Sequence, residues 1–267
     1  DEGPDVGGPH SPYVQSERLN IYRTFTQQLL DSGYAYHCYC TAERLAALRE
    51  AQRARKENPG YDRHCRYLTA RERAEKEASG IPYVTRLAMP LEGVTTFHDI
   101  VRGEITFENH TMDDIVLMKS DGFPTYHLAN VVDDHVMEIT HIMRGDEWLS
   151  SVPKHILLFQ ALGWEPPAMV HLPLILDPSG QGKMSKRKKR AGSSHYFFIH
   201  EFRRAGYLPE ALFNYLSLLG WSFDGETQIF SRQEAAQLFD IRDIVPKPSV
   251  FDYEKLAWMN GVYIRQL

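Results

Sequence analysis

A glycine-flanked basic loop is the part of this sequence whose residue types most clearly suggest chemistry. It reads Gly182-Lys183-Met184-Ser185-Lys186-Arg187 and continues with more basic residues to position 190. Lysine carries a compact charge on a flexible stem and can follow moving phosphate oxygens, while the glycines leave the backbone free to close over a ligand. The loop therefore predicts a mobile clamp for a polyphosphate. Taken alone, it also fits a solvated basic segment, a localisation signal or a nucleic-acid patch.

Further polar candidates come after the predicted strands upstream of this loop. Tyr126 and Asn130 are four residues apart and share one face of a predicted helix. Arg144 ends a hydrophobic strand, where a charged side chain needs a partner, and Glu147 and Trp148 follow it. Ligands of open parallel sheets bind beyond the carboxyl ends of the strands. We therefore expect one crevice with an arginine for a carboxylate and lysines for phosphate.

The elements that must position these residues alternate between strands and helices. After residue 113 the predicted order is strand 115–119, a helix from about residue 125, strand 139–144, helix 146–162 and strand 170–176. This alternation implies a parallel sheet with right-handed crossovers, so the predicted fold class is α/β. An apolar stripe that begins at Trp148 and Leu149 supports helix 146–162. Helical patterns dominate beyond the basic loop and predict a helical appendage.

The first part of the chain has a different pattern. We predict a helix over residues 16–32, a strand over 34–39, a helix over 41–56 and a further helix that opens with a Thr69–Glu72 capping box. Residues 83–108 predict short strands of a small mixed module outside the parallel sheet. The neighbours Asp133, Asp134 and His135 are interpreted as surface charges or local hydrogen-bond acceptors, because adjacent helical residues point in different directions.

Composition limits the class of protein. The 267 residues carry a net charge of -5, so any nucleic-acid contact must come from local basic patches. Three cysteines do not form a disulfide framework and indicate a reducing compartment. No apolar run approaches the roughly 20 residues of a membrane span. The start, Asp1-Glu2-Gly3-Pro4, lacks both the initiator methionine and the features of a signal peptide, and we interpret it as a cut inside a larger protein.

Three ordered motifs carry a resemblance to a known family. They are residues 119–135 (KSDGFPTYHLANVVDDH), residues 144–148 (RGDEW) and residues 183–187 (KMSKR). Together they resemble bacterial and organellar glutamyl-tRNA synthetases over nearly the whole chain. The resemblance implies the C-terminal part of a Rossmann-type parallel-sheet catalytic domain with an inserted α+β module. The implied segments are 1–35, a remnant of the first catalytic half; 36–112, the tRNA acceptor-end module; 113–192, the second catalytic half; and 193–267, a helical stem-contact region.

The resemblance also implies roles for individual residues. Glutamate would be bound by Tyr126, Asn130 and Arg144. ATP would be bound by Glu147, Trp148, Lys183, Met184 and Lys186, and the catalytic loop residues would be Lys183, Ser185, Lys186 and Arg187. The implied reaction uses ATP with Mg²⁺ to form a glutamyl adenylate, which then esterifies tRNA(Glu). The family further implies a cytoplasmic enzyme with no membrane partner, and we expect a monomer.

One departure from the family concerns the first half of the active site. The family's His-Ile-Gly-His type turn and an upstream arginine are absent from the 267 residues. We therefore expect the chain alone to show no measurable aminoacylation. Alternative interpretations are a tRNA-modifying paralogue that transfers glutamate, a glutaminyl enzyme and a non-catalytic nucleotide- or RNA-binding module.

A possible zinc site lies in the inserted segment. Cys38, Cys40 and Cys65 are present, and some members of the family hold zinc there with a Cys-x-Cys pair and a distant Cys-x-His pair. The residue two positions after Cys65 is a tyrosine, so that histidine is missing. Tyr61 or His64 would have to complete a tetrahedron of ligands. Three reduced cysteines without a metal are the alternative.

Overall fold

The computed structural model describes residues 2–184 and 196–267. Within these ranges the helices are α1 (Leu19–Asp31), α2 (Ala42–Ala54), α3 (Ala70–Ala78), α4 (Tyr126–Val136), α5 (Val152–Leu162), α6 (Ile199–Arg204), α7 (Pro209–Ser217), α8 (Arg232–Leu238) and α9 (Tyr253–Ile264). The strands are β1 (Ala35–Cys38), β2 (Val84–Leu87), β3 (Val94–Asp99), β4 (Gly103–Glu108), β5 (Val116–Met118), β6 (His141–Gly145), β7 (Ala168–Leu172), β8 (Ile175–Leu176) and β9 (Ser249–Val250). None of the described helices combines the length and the apolar character needed to cross a membrane.

The chain divides into two units, which interleave in sequence. The first unit comprises Asp1–Phe97, Glu104–His141 and Ser150–Pro167. The second comprises His98–Gly103, Ile142–Leu149 and Ala168–Leu267. Each unit has its own apolar cluster, and each is described by itself below.

The first unit packs α1, α4 and α5 with a three-stranded sheet of order β1-β2-β5. Its strands are antiparallel, with Ala35 opposite Leu87 and Thr85 opposite Met118. Helix α1 buries residues at helical spacing, as its periodicity predicts. The core of the unit includes Tyr22, Leu29, Leu117, Leu128, Val131, Leu158 and Phe159. The capping box at the start of α3 is confirmed, because the Thr69 hydroxyl accepts from the Glu72 amide and the Glu72 carboxylate accepts from the Thr69 amide.

The second unit contains parallel strand pairs and a helical C-terminal part. Strands β6 and β7 are neighbours, and Asp99 at the end of β3 pairs in parallel with Met169 of β7. The short strands β8 and β9 are also parallel. The helices enclose a cluster that contains Phe202, Leu212, Tyr215, Phe251, Leu256 and Met259. The predicted α/β class, with parallel pairing and a helical C-terminal part, is confirmed.

Two strand assignments from the sequence were wrong. Strand β5 pairs antiparallel with β2, and was expected to join a parallel sheet with residues 139–144 and 170–176. Strand β3 pairs in parallel with β7, although residues 83–108 were expected to lie outside any parallel sheet. Both errors have one cause. Short strands show which residues are apolar but not which distant strand offers the complementary edge.

Prolines account for two further differences. Residues 146–162 do not form one helix: a 3₁₀ segment covers Asp146–Ser151, and α5 begins at Val152, with Pro153 in its first turn. Proline has no amide hydrogen to donate to the carbonyl four residues back, so Pro153 is tolerated in the first turn of an α-helix but not in the interior of a longer one. Trp148 is accordingly 39% exposed and does not extend the stripe of α5. Predicted strand 170–176 is likewise divided into β7 and β8, with Pro173 between them.

Candidate active site

The first group of candidate residues lies on α4 in the first unit. A turn after β5 leads into this helix, where the Lys119 amide donates to the Phe123 carbonyl (2.9 Å) and Gly122 has a φ of 80°. The Thr125 hydroxyl then donates to the Val116 carbonyl at 2.6 Å. These bonds fix the position where α4 starts, with Tyr126 as its first residue.

Asn130 lies about one turn after Tyr126 in α4. Tyr126 is 44% exposed, and its ring meets the His155 ring edge-on at 5.9 Å. The Asn130 amide nitrogen donates to Asp134 Oδ2 at 2.9 Å. Its carbonyl oxygen is shielded from solvent and has no hydrogen-bond partner among the described residues. An acceptor left in this state suits a ligand that carries an N–H donor.

The second group of candidates lies in the second unit and begins with Arg144 near the end of β6. Its Nε–H donates to His171 Nε2 at 3.1 Å, and His171 Nδ1 lies 2.6 Å from Asp99 Oδ2. The Arg144 guanidinium also lies 5.9 Å from the centre of the Trp148 ring. The predicted partner for a charged residue at this strand end is therefore present, and it is a histidine.

Glu147 and Lys183 form an ion pair in the same unit. The hydrogen bond from Lys183 lowers the pKa of the Glu147 carboxyl below its usual value. The carboxyl group of Glu147 lies against Gly145, where a larger residue would collide with it. Lys183 is placed by a turn in which Leu176 faces Lys183 across a bridge and the Asp177 amide donates to the Gly182 carbonyl at 2.8 Å.

Met184 lies at the end of the described part of the basic loop. Its amide donates to the Ile175 carbonyl at 2.9 Å, and its side chain packs against the helical cluster of the second unit. Residue 184 is therefore held against the helices. Ser185, Lys186 and Arg187 lie outside the described residues. Of the four predicted catalytic residues, Lys183 is the one whose surroundings can be described.

Sequence reasoning missed Asp99 and His171. Both side chains are fully buried, and they touch although they are 72 residues apart in the sequence. A signal was present, because a histidine inside the apolar strand β7 requires a polar partner. The sequence gives no means of identifying that partner.

The three cysteines form one group in the first unit. Their sulfur atoms lie within 4.8 Å of one another, and no other metal-ligand group of this kind occurs in residues 2–184 or 196–267. The Tyr61 hydroxyl lies 3.2 Å from Cys38 Sγ and 3.5 Å from Cys40 Sγ. His64 is exposed and does not belong to the group.

The electrostatics of this group favour a thiolate but not a phenolate. The hydrogen bond between Cys38 and Cys65 lowers the pKa of the Cys38 thiol to about 4 and raises the pKa of the Cys65 thiol. The Arg86 guanidinium also assists, and it stacks on the Tyr61 ring at 4.0 Å. Burial raises the pKa of Tyr61, so its hydroxyl keeps its proton. A zinc ion deprotonates the thiols that coordinate it, so the three neighbouring sulfur atoms fit a zinc ion, whereas Tyr61 is a weak fourth ligand.

Comparison with known proteins defines the class to which this fold and these residues belong. The family model described as "tRNA synthetases class I (E and Q), catalytic domain" matches residues 4–258, and the chain belongs to this family.

The family model covers both E and Q enzymes, and the individual relatives described next are named as glutamate enzymes. The chain is 52% identical over 267 residues to a glutamate–tRNA ligase of Dehalococcoides mccartyi and 49% identical over 267 residues to one of Treponema denticola. These matches cover 100% of this chain but 52% and 51% of the two relatives, so the chain spans about half their length. A crystal structure of a glutamate tRNA ligase from Elizabethkingia meningosepticum, in complex with its amino acid, is 38% identical with a TM-score of 0.91. The match covers 100% of this chain and 57% of the chain in that crystal structure.

Proposed function

We propose that the protein carrying this chain is a glutamate–tRNA ligase, which uses ATP to join L-glutamate to tRNA(Glu) through a glutamyl adenylate. The observation that carries the proposal is the similarity over the full 267 residues to relatives that bear this name. The described candidates are compatible with it, because an arginine and a lysine are held in place in the second unit and an amide acceptor is available in the first.

The proposed glutamate-binding residues are Tyr126, Asn130 and Arg144. The solvent-shielded Asn130 carbonyl oxygen suits the ammonium group of an amino acid. The Arg144 guanidinium suits a carboxylate, for which arginine is the preferred partner. Tyr126 supplies a half-exposed phenol on the same helical face as Asn130.

The proposed ATP-binding residues are Glu147, Trp148, Lys183, Met184 and Lys186. Lys183, together with Ser185, Lys186 and Arg187, would stabilise the pyrophosphate that leaves when a glutamate carboxylate oxygen attacks the α-phosphorus. Positive charge at this position helps most where negative charge develops in the transition state. Mg²⁺ would accompany ATP. Met184 would contribute through the position of the loop, because its side chain is packed into the helical cluster.

The partner proposed for the remaining segments is tRNA(Glu). Residues 36–112 would contact its acceptor end and residues 193–267 its stem, and residues 1–35 and 113–192 would belong to the catalytic domain. We further propose a monomer that works in the cytoplasm. For zinc, the proposed ligands are Cys38, Cys40 and Cys65, with Tyr61 beside them.

The test is ATP–pyrophosphate exchange with glutamate, measured with and without tRNA(Glu), on the full-length protein and on the 267-residue chain. We expect exchange that requires tRNA for the full-length protein and none for the chain alone, because the ATP-binding turn of the first half is absent. The proposal is contradicted if the full-length protein shows no pyrophosphate exchange with any amino acid, or if it shows exchange with glutamine and not with glutamate. Exchange by the chain alone contradicts only the expectation about the chain.

A further inference from the structure

Three polar side chains of the second unit form a row across three neighbouring strands. Asp99 ends β3, His171 lies in β7 and Arg144 lies in β6, and β7 is the middle strand of the three. Hydrogen bonds join the row from Asp99 to His171 and from His171 to Arg144, at 2.6 Å and 3.1 Å. Asp99 and His171 have no exposed side-chain surface. The strand order therefore produces this contact between residues far apart in sequence.

The hydrogen bonds fix the proton on the histidine ring. Arginine can only donate, so His171 Nε2 must accept from Arg144 and carry no proton. His171 Nδ1 must then carry the proton and donate it to Asp99 Oδ2. The imidazole is neutral, and its two nitrogens have different and fixed tasks.

Asp99 is itself held by the backbone. Its Oδ1 accepts from the amides of Val101 and Arg102 at 3.0 Å and 2.9 Å. Its Oδ2 accepts from the His171 amide at 3.0 Å as well as from the ring. A carboxylate that accepts this many hydrogen bonds does not rotate freely. The ring of His171 is hydrogen-bonded to this carboxylate, so its orientation is fixed as well.

The charge of the row is balanced. Asp99 supplies one buried negative charge and Arg144 one positive charge, with a neutral ring between them. Burying such groups costs free energy, and apolar side chains of similar volume at all three positions would avoid the cost. A row of this kind is therefore expected where the orientation of a charged group matters more than stability.

We propose that His171 and Asp99 are positioning residues, which orient the Arg144 guanidinium for a carboxylate of the substrate amino acid. The inference rests on the proposed function, in which Arg144 binds glutamate. The bond at Nε holds the plane of the guanidinium, so the directions of its terminal nitrogens follow from the position of the His171 ring. Bidentate recognition of a carboxylate needs this plane to be fixed.

Two amide substitutions separate positioning from simple packing. His171→Gln can place an acceptor where Nε2 stood and keep the bond from Arg144, but it loses the donor to Asp99. His171→Asn can place a donor where Nδ1 stood and keep the bond to Asp99, but it loses the acceptor for Arg144. Both variants remove the ring and leave the His171 backbone amide intact. If His171 serves to anchor Asp99, His171→Asn should be the less impaired variant. If His171 serves to orient Arg144, His171→Gln should be the less impaired variant.

The experiment measures KM for glutamate and for ATP by tRNA-dependent pyrophosphate exchange in the full-length protein. We expect His171→Asn to raise the KM for glutamate about tenfold and His171→Gln about threefold, with the KM for ATP changed by less than about twofold in both. The inference is overturned if both variants have the wild-type KM for glutamate, or if His171→Asn raises this KM less than His171→Gln does. Loss of glutamate-dependent exchange in the wild type overturns the proposed function, and the inference with it.

A second measurement does not depend on activity or on the stability of a variant. In the wild-type protein with ¹⁵N-labelled histidine, NMR should show His171 as a neutral ring with its proton on Nδ1. The reverse tautomer, or a rapidly exchanging ring, overturns the inference even if the protein is an active glutamate enzyme. The ring signal lost in His171→Gln is that of His171, and the exposed His110→Asn variant should retain it.

Discussion

Arg18 and Asp133 form an ion pair that joins the segment before α1 to helix α4. Arg18 Nε lies 2.8 Å from Asp133 Oδ1, and 1% of the Arg18 side chain is exposed. The Tyr22 hydroxyl donates to the same carboxylate at 2.8 Å, and Arg18 also donates to the carbonyls of His10 and Pro12. The interpretation of Asp133 as a surface charge or local acceptor was therefore wrong. Its partners lie more than 100 residues away.

We expect Arg18→Met to destabilise the protein by about 3 kcal/mol, because it leaves the partner carboxylate without its compensating charge. Chemical denaturation of the 267-residue chain measures the change in the free energy of unfolding. The matched control is Arg242→Met, which breaks the Arg242–Asp240 pair where the arginine side chain is 80% exposed. Exposed pairs contribute little, so the control should be close to wild type. Similar losses in both variants contradict a special role for the buried pair.

The sequence predicted those parts of the fold that depend on neighbouring residues. The Thr69–Glu72 capping box and the stripe of α1 involve residues within a few turns, and both appear in the structure. The partners of β3 and β5 depend on strands far along the chain, and both assignments were wrong. Local spacing carries the first kind of information and not the second.

The candidate site shows the same division. Arg144 was identified because an arginine at a strand end needs a partner, and a partner is present. The partner itself could not be named, since His171 comes 27 residues after Arg144 and Asp99 comes 72 residues before His171. These contacts arise from the order of strands in the sheet. The spacing of motifs along the sequence does not indicate that order.

Lys183 is expected to be needed for adenylate formation. Lys183→Ala removes the positive charge that would meet the leaving pyrophosphate, so the rate of pyrophosphate exchange should fall about 100-fold. The measurement is tRNA-dependent exchange by the full-length protein at saturating glutamate. Lys247→Ala changes an exposed lysine of the same unit in the proposed tRNA-contact segment, and at saturating tRNA it should leave the rate unchanged. A Lys183→Ala enzyme with wild-type exchange removes this residue from the catalytic set.

Acid should weaken the fold through buried histidines. Burial lowers the pKa of His171 below its ordinary value of about 6.5, and the charges of Arg144 and Arg102 act in the same direction while Asp99 opposes them. Burial also lowers the pKa of the half-buried His37, while Glu77 opposes this shift. Below about pH 6.5 the unfolded chain binds protons that the folded chain excludes. This stability is fully present above that pH and is lost as the pH falls toward the folded pKa values.

Urea denaturation of the 267-residue chain between pH 7.5 and 5.5 checks this prediction; these bounds bracket the ordinary histidine pKa of roughly 6.5. The free energy of unfolding should decrease toward acid, and His171→Asn should decrease less because it removes one of the contributing rings. His110→Asn changes a histidine whose side chain is 64% exposed and should keep the wild-type slope. A stability that rises on acidification has the opposite sign and would show that burial is not the dominant influence on these rings.

Metal analysis tests the cysteine group. We expect protein purified without chelators to hold close to one zinc ion, because three sulfur atoms already lie within 4.8 Å of one another and a lowered pKa gives Cys38 thiolate character. Cys65→Ser removes one of the three and should abolish tight binding. Tyr61→Phe should retain most of the metal, because a hydroxyl that keeps its proton is a weak ligand.

His64→Ala is the control for the residue that the sequence offered as an alternative ligand. His64 is exposed and outside the cysteine group, so its removal should not change the zinc content. Loss of zinc in His64→Ala would mean that this side chain turns inward when the metal binds. A stoichiometry near zero in the wild type would instead identify the three cysteines as reduced thiols. In that case the hydrogen bonds of Cys38 and Cys40 with Tyr61 would serve to pack the inserted module.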